Sequence, residues 1–289
     1  MDDDAGRRGS WRLRTVMSVA TAAMLLGGCG AGDEKADQPG PSASGGSATP
    51  TASGSPSLPA SPSSPASPSA GGDASTLTPF QADPAQVPRT KGQAEKLAAA
   101  VALRPAAWGA GFRAQQPAAS TPGTVAVLDE QCRWERRTLP KGVLASLSRY
   151  SEIPGSGAKG EIKVTAAVTV HATVLDADER LATTLEEPLR CREQQVRTDE
   201  RISGLMSTGT PYGQGNNTYA DDQVVEIGSY LTGDSQQTYR WYVTRLGTVT
   251  VAVSVKGAKG YSDDELGQYA SHATTTMLSR VEFELGGQS

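Results

Sequence analysis

Residues 162–174 (IKVTAAVTVHATV) alternate between two kinds of side chain along their whole length. One face is aliphatic, and the other carries Lys163, Ala167, His171 and three threonines. Successive side chains of a strand point to opposite sides of a sheet, so this pattern predicts an antiparallel sheet with one face on a core. The polar face should meet solvent or line a groove.

Further elements are predicted on both sides of this strand from helix caps, turn residues and periodicity. Helices are expected at 91–103, at 176–191 (with Asp176 and Glu179 as a capping pair) and after Ser262, which pairs with Glu265. Other strands are expected at 123–128, 132–139, 143–153, 223–231, 238–246 and 248–255, with a hairpin across Pro140-Lys141-Gly142. The order predicts an α+β fold, with an antiparallel sheet of five or six strands and helices packed on one face.

The N-terminal end of the chain has the layout of an export signal. Four arginines (Arg7, Arg8, Arg12 and Arg14) precede an apolar run that ends at Leu26-Gly27-Gly28-Cys29. A basic flank, a short apolar segment and small residues are typical of a secretory signal peptide, here 1–28. The run is shorter than the about 20 residues that span a bilayer. The general secretory and twin-arginine routes both stay open.

The residues Leu26-Gly27-Gly28-Cys29 resemble the lipobox of bacterial lipoproteins, in which the cysteine is acylated and becomes the mature N-terminus. The resemblance implies a diacylglyceryl group on Cys29 and a lipid anchor on the outer face of the cytoplasmic membrane. Two or more acyl chains hold firmly, because each buried methylene contributes about 0.8 kcal/mol. The alternatives are an uncleaved membrane anchor and a secreted protein with a free thiol at Cys29.

The composition divides the rest of the chain into a tether and a domain. Residues 29–86 are rich in Pro, Ser, Ala and Gly, so they bury too little apolar surface to fold and should form a disordered tether. Residues 87–286 have the length of a single extracytoplasmic domain. The formal net charge of −4 indicates no basic surface, so nucleic acid is not an expected partner. The expected partners are the membrane, through the lipid, and an envelope ligand or protein.

Two cysteines follow Cys29, at Cys132 and Cys191. An even pair in an exported domain indicates a disulfide. A loop of about 60 residues closed in this way stabilises the fold by about 4 kcal/mol in the chain-entropy model. The alternative is a metal or redox pair, but the spacing and the histidines that such a pair needs are absent from the sequence.

Few residues carry recognisable chemistry. The two histidines, His171 and His272, have no accompanying metal-binding or nucleophile motif. Ser156 and Lys159 have the Ser-x-x-Lys spacing of penicillin-binding enzymes, but they lie in a Gly-rich turn rather than at the start of a helix. The sequence therefore assigns no catalytic, cofactor-binding or metal-binding residue, and we expect no cofactor.

One loop has binding character. Residues 206–219 (MSTGTPYGQGNNTY) combine glycines with amide and tyrosine side chains, a composition that suits hydrogen bonding and stacking to a ligand. The candidate ligand residues are Tyr212, Asn216, Asn217 and Tyr219. The alternative is a plain connecting loop.

The aromatic residues after this loop are predicted to pack in the sheet. Tyr239 and Trp241 alternate onto one face, and Tyr242 points to the other.

The layout of residues 162–285 resembles the extracellular sensor domain of actinobacterial membrane Ser/Thr kinases, which also occurs on free-standing lipoproteins. The shared features are a strand, a capped helix that ends at Cys191, a loop, the hairpin at 239–255 (YRWYVTRLGTVTVAVSV) and a terminal helix. The two-layer fold of PsbP-like envelope lipoproteins is similar as well. The sensor family commonly has two disulfides, whereas this chain can form one.

These resemblances imply binding or sensing rather than a reaction. The leading hypothesis is a non-enzymatic envelope lipoprotein that binds a ligand or partner outside the membrane. The alternative is a cell-wall-modifying hydrolase or transferase, with His171 as the residue to test.

Overall fold

The computed structural model describes residues 80–286. The predicted signal peptide, Cys29 and most of the predicted tether lie outside the described residues. In chain order the elements are α1 (Lys91–Val101), β1 (Arg113–Ala119), β2 (Thr124–Leu128), β3 (Trp134–Thr138), β4 (Val143–Ile153), β5 (Ile162–His171), α2 (Val174–Arg190), β6 (Glu193–Arg197), β7 (Glu200–Pro211), β8 (Asp222–Thr232), β9 (Ser235–Leu246), β10 (Val249–Lys256) and α3 (Asp263–Glu284).

Eight strands form one antiparallel sheet in the order β1-β4-β5-β10-β9-β8-β7-β6, and β2 pairs with β3 in a separate two-stranded sheet. The antiparallel sheet is confirmed, but its strand number is eight rather than five or six. The strands that sequence reasoning missed are polar or rich in glycine and proline. For example, β1 reads RAQQPAA and β6 reads EQQVR, and neither has the alternation that marks a half-buried strand.

The main hydrophobic core lies on the face that we call the core face. On it, Val168 of β5 pairs with Val251 of β10, and the other aliphatic residues of both strands follow the same register. Helices α1 and α3 cover this face and contribute Leu97 and Met277 to the same buried cluster. The alternation of residues 162–174 therefore places the core correctly.

Helix α2 packs on the opposite face of the sheet, which we call the groove face. Its Leu181 contacts Val224 of β8 and Val243 of β9 in a separate small cluster. The prediction that the helices share one face is therefore wrong. The sheet has eight strands, so its groove face extends well beyond the polar side of β5. It carries an apolar patch on β8 and β9, and the apolar stripe of α2 packs against this patch.

The hairpin predicted between residues 132–139 and 143–153 is also wrong. Strand β3 pairs with β2, whereas β4 pairs with β1 and β5. Long-range contacts decide this pairing. The ring of Trp134 in β3 packs edge-to-face against Trp241 of β9, with 5.3 Å between ring centroids, and its Nε1 donates to Oε1 of Gln194 at 2.7 Å.

The helix caps agree with the sequence at one helix and differ at another. Ser262 and Glu265 form the predicted capping box of α3. Helix α2 begins at Val174, and its cap is Thr173, whose hydroxyl accepts from the backbone NH of Asp176 at 3.0 Å. Strand β5 ends at His171, earlier than predicted, and the chain therefore begins the helix at Val174, before the predicted start at Asp176.

The predicted disulfide is confirmed. Cys132 and Cys191 are bonded, with 5.4 Å between their Cα atoms and a sequence separation of 59. The bond links the segment before β3 to the C-terminal end of α2. It therefore ties the β2–β3 hairpin to the groove face of the sheet.

The first described residues belong to the domain. Phe80 and Ala82 pack against the core, and the backbone NH of Asp83 donates to the carbonyl of Leu285 at 2.9 Å. Composition placed residues 80–86 in the tether. Among the described residues, no helix has the length and apolar character that crossing a membrane requires.

Candidate functional site

The groove face carries a cavity of about 340 Å³ between the sheet and the β2–β3 hairpin. Its floor consists of small side chains on β5 and β10, namely Thr165, Ala167, Ala252 and Ser254. These residues alternate with the core valines, so the strand pattern itself places them on the groove face. The volume lies within the roughly 300–1,000 Å³ typical of small-molecule sites.

Aromatic side chains form one wall of this groove-face cavity. Trp134 and Trp241 line it in their edge-to-face contact, with Tyr239 on the same side, whereas Tyr150 of β4 lines the opposite side, across β5 and β10. The hydrogen bond to Gln194 fixes the orientation of the Trp134 ring. The wall is therefore ordered before any ligand arrives.

A group of charged residues lies at one end of the cavity. Lys163, Arg197 and Lys256 surround the carboxylate of Glu200, and we call these four residues the cationic cluster. Nζ of Lys163 and Nη1 of Arg197 lie 3.1 and 3.2 Å from Oε1 of Glu200, and Nζ of Lys256 lies 2.7 Å from Oε2. All three cations line the cavity.

The pKa values in the cationic cluster follow from burial and charge. Burial raises the pKa of Glu200, but the Lys256 charge and the hydrogen bonds of Lys256 and Lys163 outweigh it and lower that pKa to about 2. Burial lowers the pKa of Lys256, and Arg197 and Lys163 lower it further against the opposing effect of Glu200. The cluster thus has more positive charge than its single carboxylate neutralises.

The other end of the cavity is also cationic. Nε of Arg136 donates to Oγ1 of Thr124 at 2.7 Å, and its Nη1 donates to Oγ of Ser148 at 3.3 Å. Glu135 also lines the cavity, but its carboxylate pairs with the exposed Arg137. Around this cavity, four cationic side chains therefore outnumber two carboxylates, those of Glu200 and Glu135.

A smaller cavity of about 220 Å³ lies beside the N-terminal part of α2 and contains His171, Asp176, Glu179 and Arg180 in its wall. His171 is on the predicted polar side of β5 but is buried. Its Nε2 lies 3.2 Å from Oγ1 of Thr250. Burial, with the charge of Arg180, lowers the pKa of His171 to about 4, so the ring is neutral at physiological pH.

The structure does not bring the two histidines together. His171 lies on the groove face beneath α2, whereas His272 is exposed on α3 with its Nε2 3.3 Å from the carbonyl of Ala107. Within residues 80–286, no three His, Cys, Asp or Glu side chains are grouped as metal ligands.

Two carboxyl groups are buried together beneath α2. Oε1 of Glu187 accepts from Nη1 of Arg180 at 3.1 Å, and Oε1 of Glu226 accepts from Oγ of Ser207 at 3.4 Å. Burial, together with the charge of Glu187, raises the pKa of Glu226 to about 8. Burial also raises the pKa of Glu187. Arg180 neutralises one charge, so the pair retains a proton at neutral pH.

The predicted ligand loop is shorter than expected, because β7 extends to Pro211. Asn217 is fully buried. Its Nδ2 donates to the carbonyl of Thr210 at 2.9 Å, and its Oδ1 accepts from the NH of Ala220 at 3.1 Å. Its amide therefore holds the loop in shape.

The other three predicted residues are accessible. Asn216 and Tyr219 are exposed, and Tyr212 lines a shallow cavity with Phe80 and Arg245. No residue of this loop is among the described residues that line the groove-face cavity. A ligand role for the loop stays a prediction.

The sequence placed some of the cavity residues on the correct face without joining them into a site. Lys163 appears on the polar face of the alternating strand, and Tyr239 and Trp241 share a face as predicted. The strand register decides the rest, because it places Lys256 directly opposite Lys163 and Tyr239 directly opposite Lys256. Alternation within one strand carries no information about that pairing.

Comparisons with known proteins give little support for an identification. No family model matches the chain, and no curated protein matches it. Among solved structures, it is similar to the extracellular domain of PknH from Mycobacterium tuberculosis, with 14% sequence identity and a TM-score of 0.39, over 64% of this chain and 97% of that chain. This weak structural resemblance carries no argument about function.

Proposed function

We propose that this protein is an envelope lipoprotein, anchored through Cys29 on the outer face of the cytoplasmic membrane, whose domain binds a ligand in the groove-face cavity without catalysing a reaction. The observation that carries the binding function is the ordered cavity itself. Its floor is small, its wall is aromatic, and its charged groups are already held in place by one another. The anchor rests on the sequence pattern at 26–29.

The cavity has the features of a binding site rather than of an ordinary packing defect. Small ligands are bound in mostly apolar clefts that contain a few polar groups in defined positions. Here Lys256, whose side chain is only 12% exposed, lines a space wide enough for a ligand, and the buried Glu200 pairs with it. Burying charged groups is costly, so their presence beside an open cavity favours a functional role.

A neutral aromatic probe tests the binding function. N-phenylnaphthylamine fluoresces in apolar sites, and we expect saturable binding of one probe per domain. Ala252→Phe fills the floor of the cavity and should abolish binding. Ala100→Phe makes the same chemical change on the exposed surface of α1 and should leave binding unchanged. Binding that persists unaltered in Ala252→Phe would place the probe elsewhere and contradict the proposal.

Tryptophan fluorescence locates the probe independently. Trp134 and Trp241 line the cavity, whereas Trp108 is buried in the core on the other face of the sheet. Energy transfer to the bound probe should fall in Trp241→Phe and in Trp134→Phe. The loss should be smaller in Trp108→Phe, because that ring lies on the other face of the sheet and energy transfer weakens steeply with distance. A larger loss in Trp108→Phe would argue against binding on the groove face.

Mass spectrometry of the mature N-terminus tests the anchor. We expect the chain to begin at Cys29 with a diacylglyceryl group on its sulfur, and Cys29→Ala should release the protein from the membrane fraction. An unmodified Cys29 or an intact Met1 would contradict the lipoprotein assignment. This result is independent of ligand binding.

The alternative function is a cell-wall-modifying hydrolase or transferase. The observation that favours it is the second cavity, where His171 shares a wall with Asp176 and Glu179. A wall-degrading activity that His171→Ala abolishes without unfolding the domain would establish the enzyme and refute the non-catalytic proposal. An activity that survives His171→Ala would assign the chemistry to other residues.

A further inference from the structure

We propose that the ligand of the groove-face cavity is an amphiphile with one anionic group, and that the cationic cluster binds that group while the aromatic wall holds the apolar body. This inference rests on the proposed function, since it names the ligand class of the same cavity. The anionic group is a carboxylate, phosphate or sulfonate, all of which present negatively charged oxygens to the lysines.

The charge balance of the cluster favours an anion. Lys163, Arg197 and Lys256 share one buried carboxylate, Glu200. Glu161 approaches Lys163 to 3.5 Å, but it lies on the exposed rim. Burial is the largest cause of the lowered pKa of Lys256, and Arg197 and Lys163 lower it further. At Lys163 burial also lowers the pKa, but Glu200 and Glu161 outweigh it and raise that pKa. Three cations still outnumber these two carboxylates. A bound anion would supply the missing negative charge.

Hydrogen-bonding capacity is available at the same place. Lys163 and Lys256 are directly opposite each other on β5 and β10, and both line the cavity. Each ammonium group has three N–H donors, and each donates one bond to Glu200. The side chain of Lys256 is 12% exposed, so a ligand oxygen would meet a largely desolvated ammonium, where charge-assisted bonds are strong.

The apolar body has a matching surface. Tyr239 pairs with Lys256 across the sheet, and Trp241 pairs with Ser254, two residues along β10 from Lys256. At about 3.4 Å per residue, Trp241 lies about 7 Å along the strand from the cluster. Beyond this point, the small side chains of the floor and the rings of Trp134 and Trp241 line the rest of the cavity. A head group on the lysines thus leaves an aryl or alkyl body between floor and wall.

Two probes with the same aromatic framework provide the test. Anilinonaphthalene sulfonate is an aryl amine with one sulfonate, and N-phenylnaphthylamine is its neutral counterpart. We expect the sulfonate to bind the wild-type domain more tightly. Lys256→Met and Lys163→Met keep most of the unbranched side chain and remove the charge, and each should weaken sulfonate binding about tenfold, the loss expected for one charge-assisted hydrogen bond. Binding of the neutral probe should stay within about twofold of wild type.

A gain in affinity gives a second readout. Glu200→Gln removes the internal counterion and frees donors of all three cations, so sulfonate binding should become several-fold tighter. Thermal unfolding shows whether each variant folds, and Lys163→Met, at a side chain that is 24% exposed, provides the test if Lys256→Met does not fold. Dodecanoate and dodecyl phosphate should displace the sulfonate better than dodecanol does, and their ranking distinguishes carboxylate from phosphate ligands.

The outcomes separate this inference from the proposed function. If neither probe binds the wild-type domain, the cavity is not a ligand site and both proposals fail. If the two probes bind equally and neither lysine variant changes the sulfonate affinity, the cavity binds ligands but the anionic class is refuted. Weaker sulfonate binding by a folded Glu200→Gln variant would also overturn the inference.

Discussion

The buried carboxyl of Glu226 should make the stability of the domain fall as the pH rises through neutrality. Glu226 is fully buried on β8, and burial together with the neighbouring Glu187 raises its pKa from 4.5 to about 8. Between these pH values the folded chain keeps a proton that the unfolded chain has lost. Stability therefore decreases with pH across this range and is constant above it.

The titration of His171 restricts the pH range in which the effect of Glu226 on stability can be measured alone. Its pKa falls from 6.5 to about 4 in the folded chain, so the unfolded chain binds more protons between these values and stability there increases with pH. The two effects oppose each other below pH 6.5. From pH 6.5 to 8, the limits set by His171 and Glu226, the carboxyl effect remains. The deprotonation of one such carboxyl lowers the free energy of unfolding by about 2 kcal/mol across that window.

Glu226→Gln is the matched perturbation. The amide has nearly the same shape, can still accept from Ser207, and does not ionise. Urea unfolding at both ends of the window, followed by far-ultraviolet circular dichroism, should show that the variant lacks the wild-type loss of about 2 kcal/mol, equivalent to about 4–8 °C in Tm for a domain of this size. At the upper end the variant should be more stable than wild type, because folding no longer requires a proton to be taken up.

Glu186→Gln is the control, since it removes an exposed carboxyl from α2, one residue from Glu187. It should retain the wild-type dependence on pH. If Glu226→Gln retains the wild-type slope as well, the buried proton is not on this group and the reasoning is refuted.

Three further predictions concern the stability of the fold. Asn217→Ala should lower the free energy of unfolding by about 1–3 kcal/mol, because buried backbone groups lose their amide partner; Asn216→Ala should change it by less than about 0.5 kcal/mol, and equal effects in urea unfolding would contradict the assignment. Replacing both Cys132 and Cys191 by Ser should cost about 2–5 kcal/mol, and an unchanged thermal midpoint would refute that contribution. Thr173→Ala removes the cap of α2 and should cost about 0.5–2 kcal/mol; no loss in chemical unfolding would show that the cap is dispensable.

Local patterns predicted the central part of the fold well. The alternation along β5 places the aliphatic residues on the core face, and Ser262 with Glu265 marks the start of α3. Both signals depend on residues close together in the chain, so each can be recognised from the local sequence alone. The disulfide is predictable for a different reason, because two cysteines in a domain that the sequence predicts to be exported allow one pairing.

The misassigned elements depend on distant partners. Strand β1 is polar and contains Pro117, yet it pairs with β4 at the edge of the sheet, where backbone hydrogen bonds compensate for weak sequence preference. Strand β3 joins β2 because Trp134 meets Trp241 and Gln194, which lie far along the chain. Tertiary packing overrides local preference at both places.

By itself, the sequence determined the alternating strand, the capping box of α3 and the cysteine pair, and it predicts an export signal at 1–28 followed by Cys29. Only the tertiary structure decided that α2 covers the groove face, that Asn217 is buried within its loop, and that Lys163 and Lys256 meet around Glu200. Alternation is set within one strand, whereas register and face coverage are set by contacts between strands and helices distant in sequence. The candidate site is built from such contacts, so its residues become a site only in the folded chain.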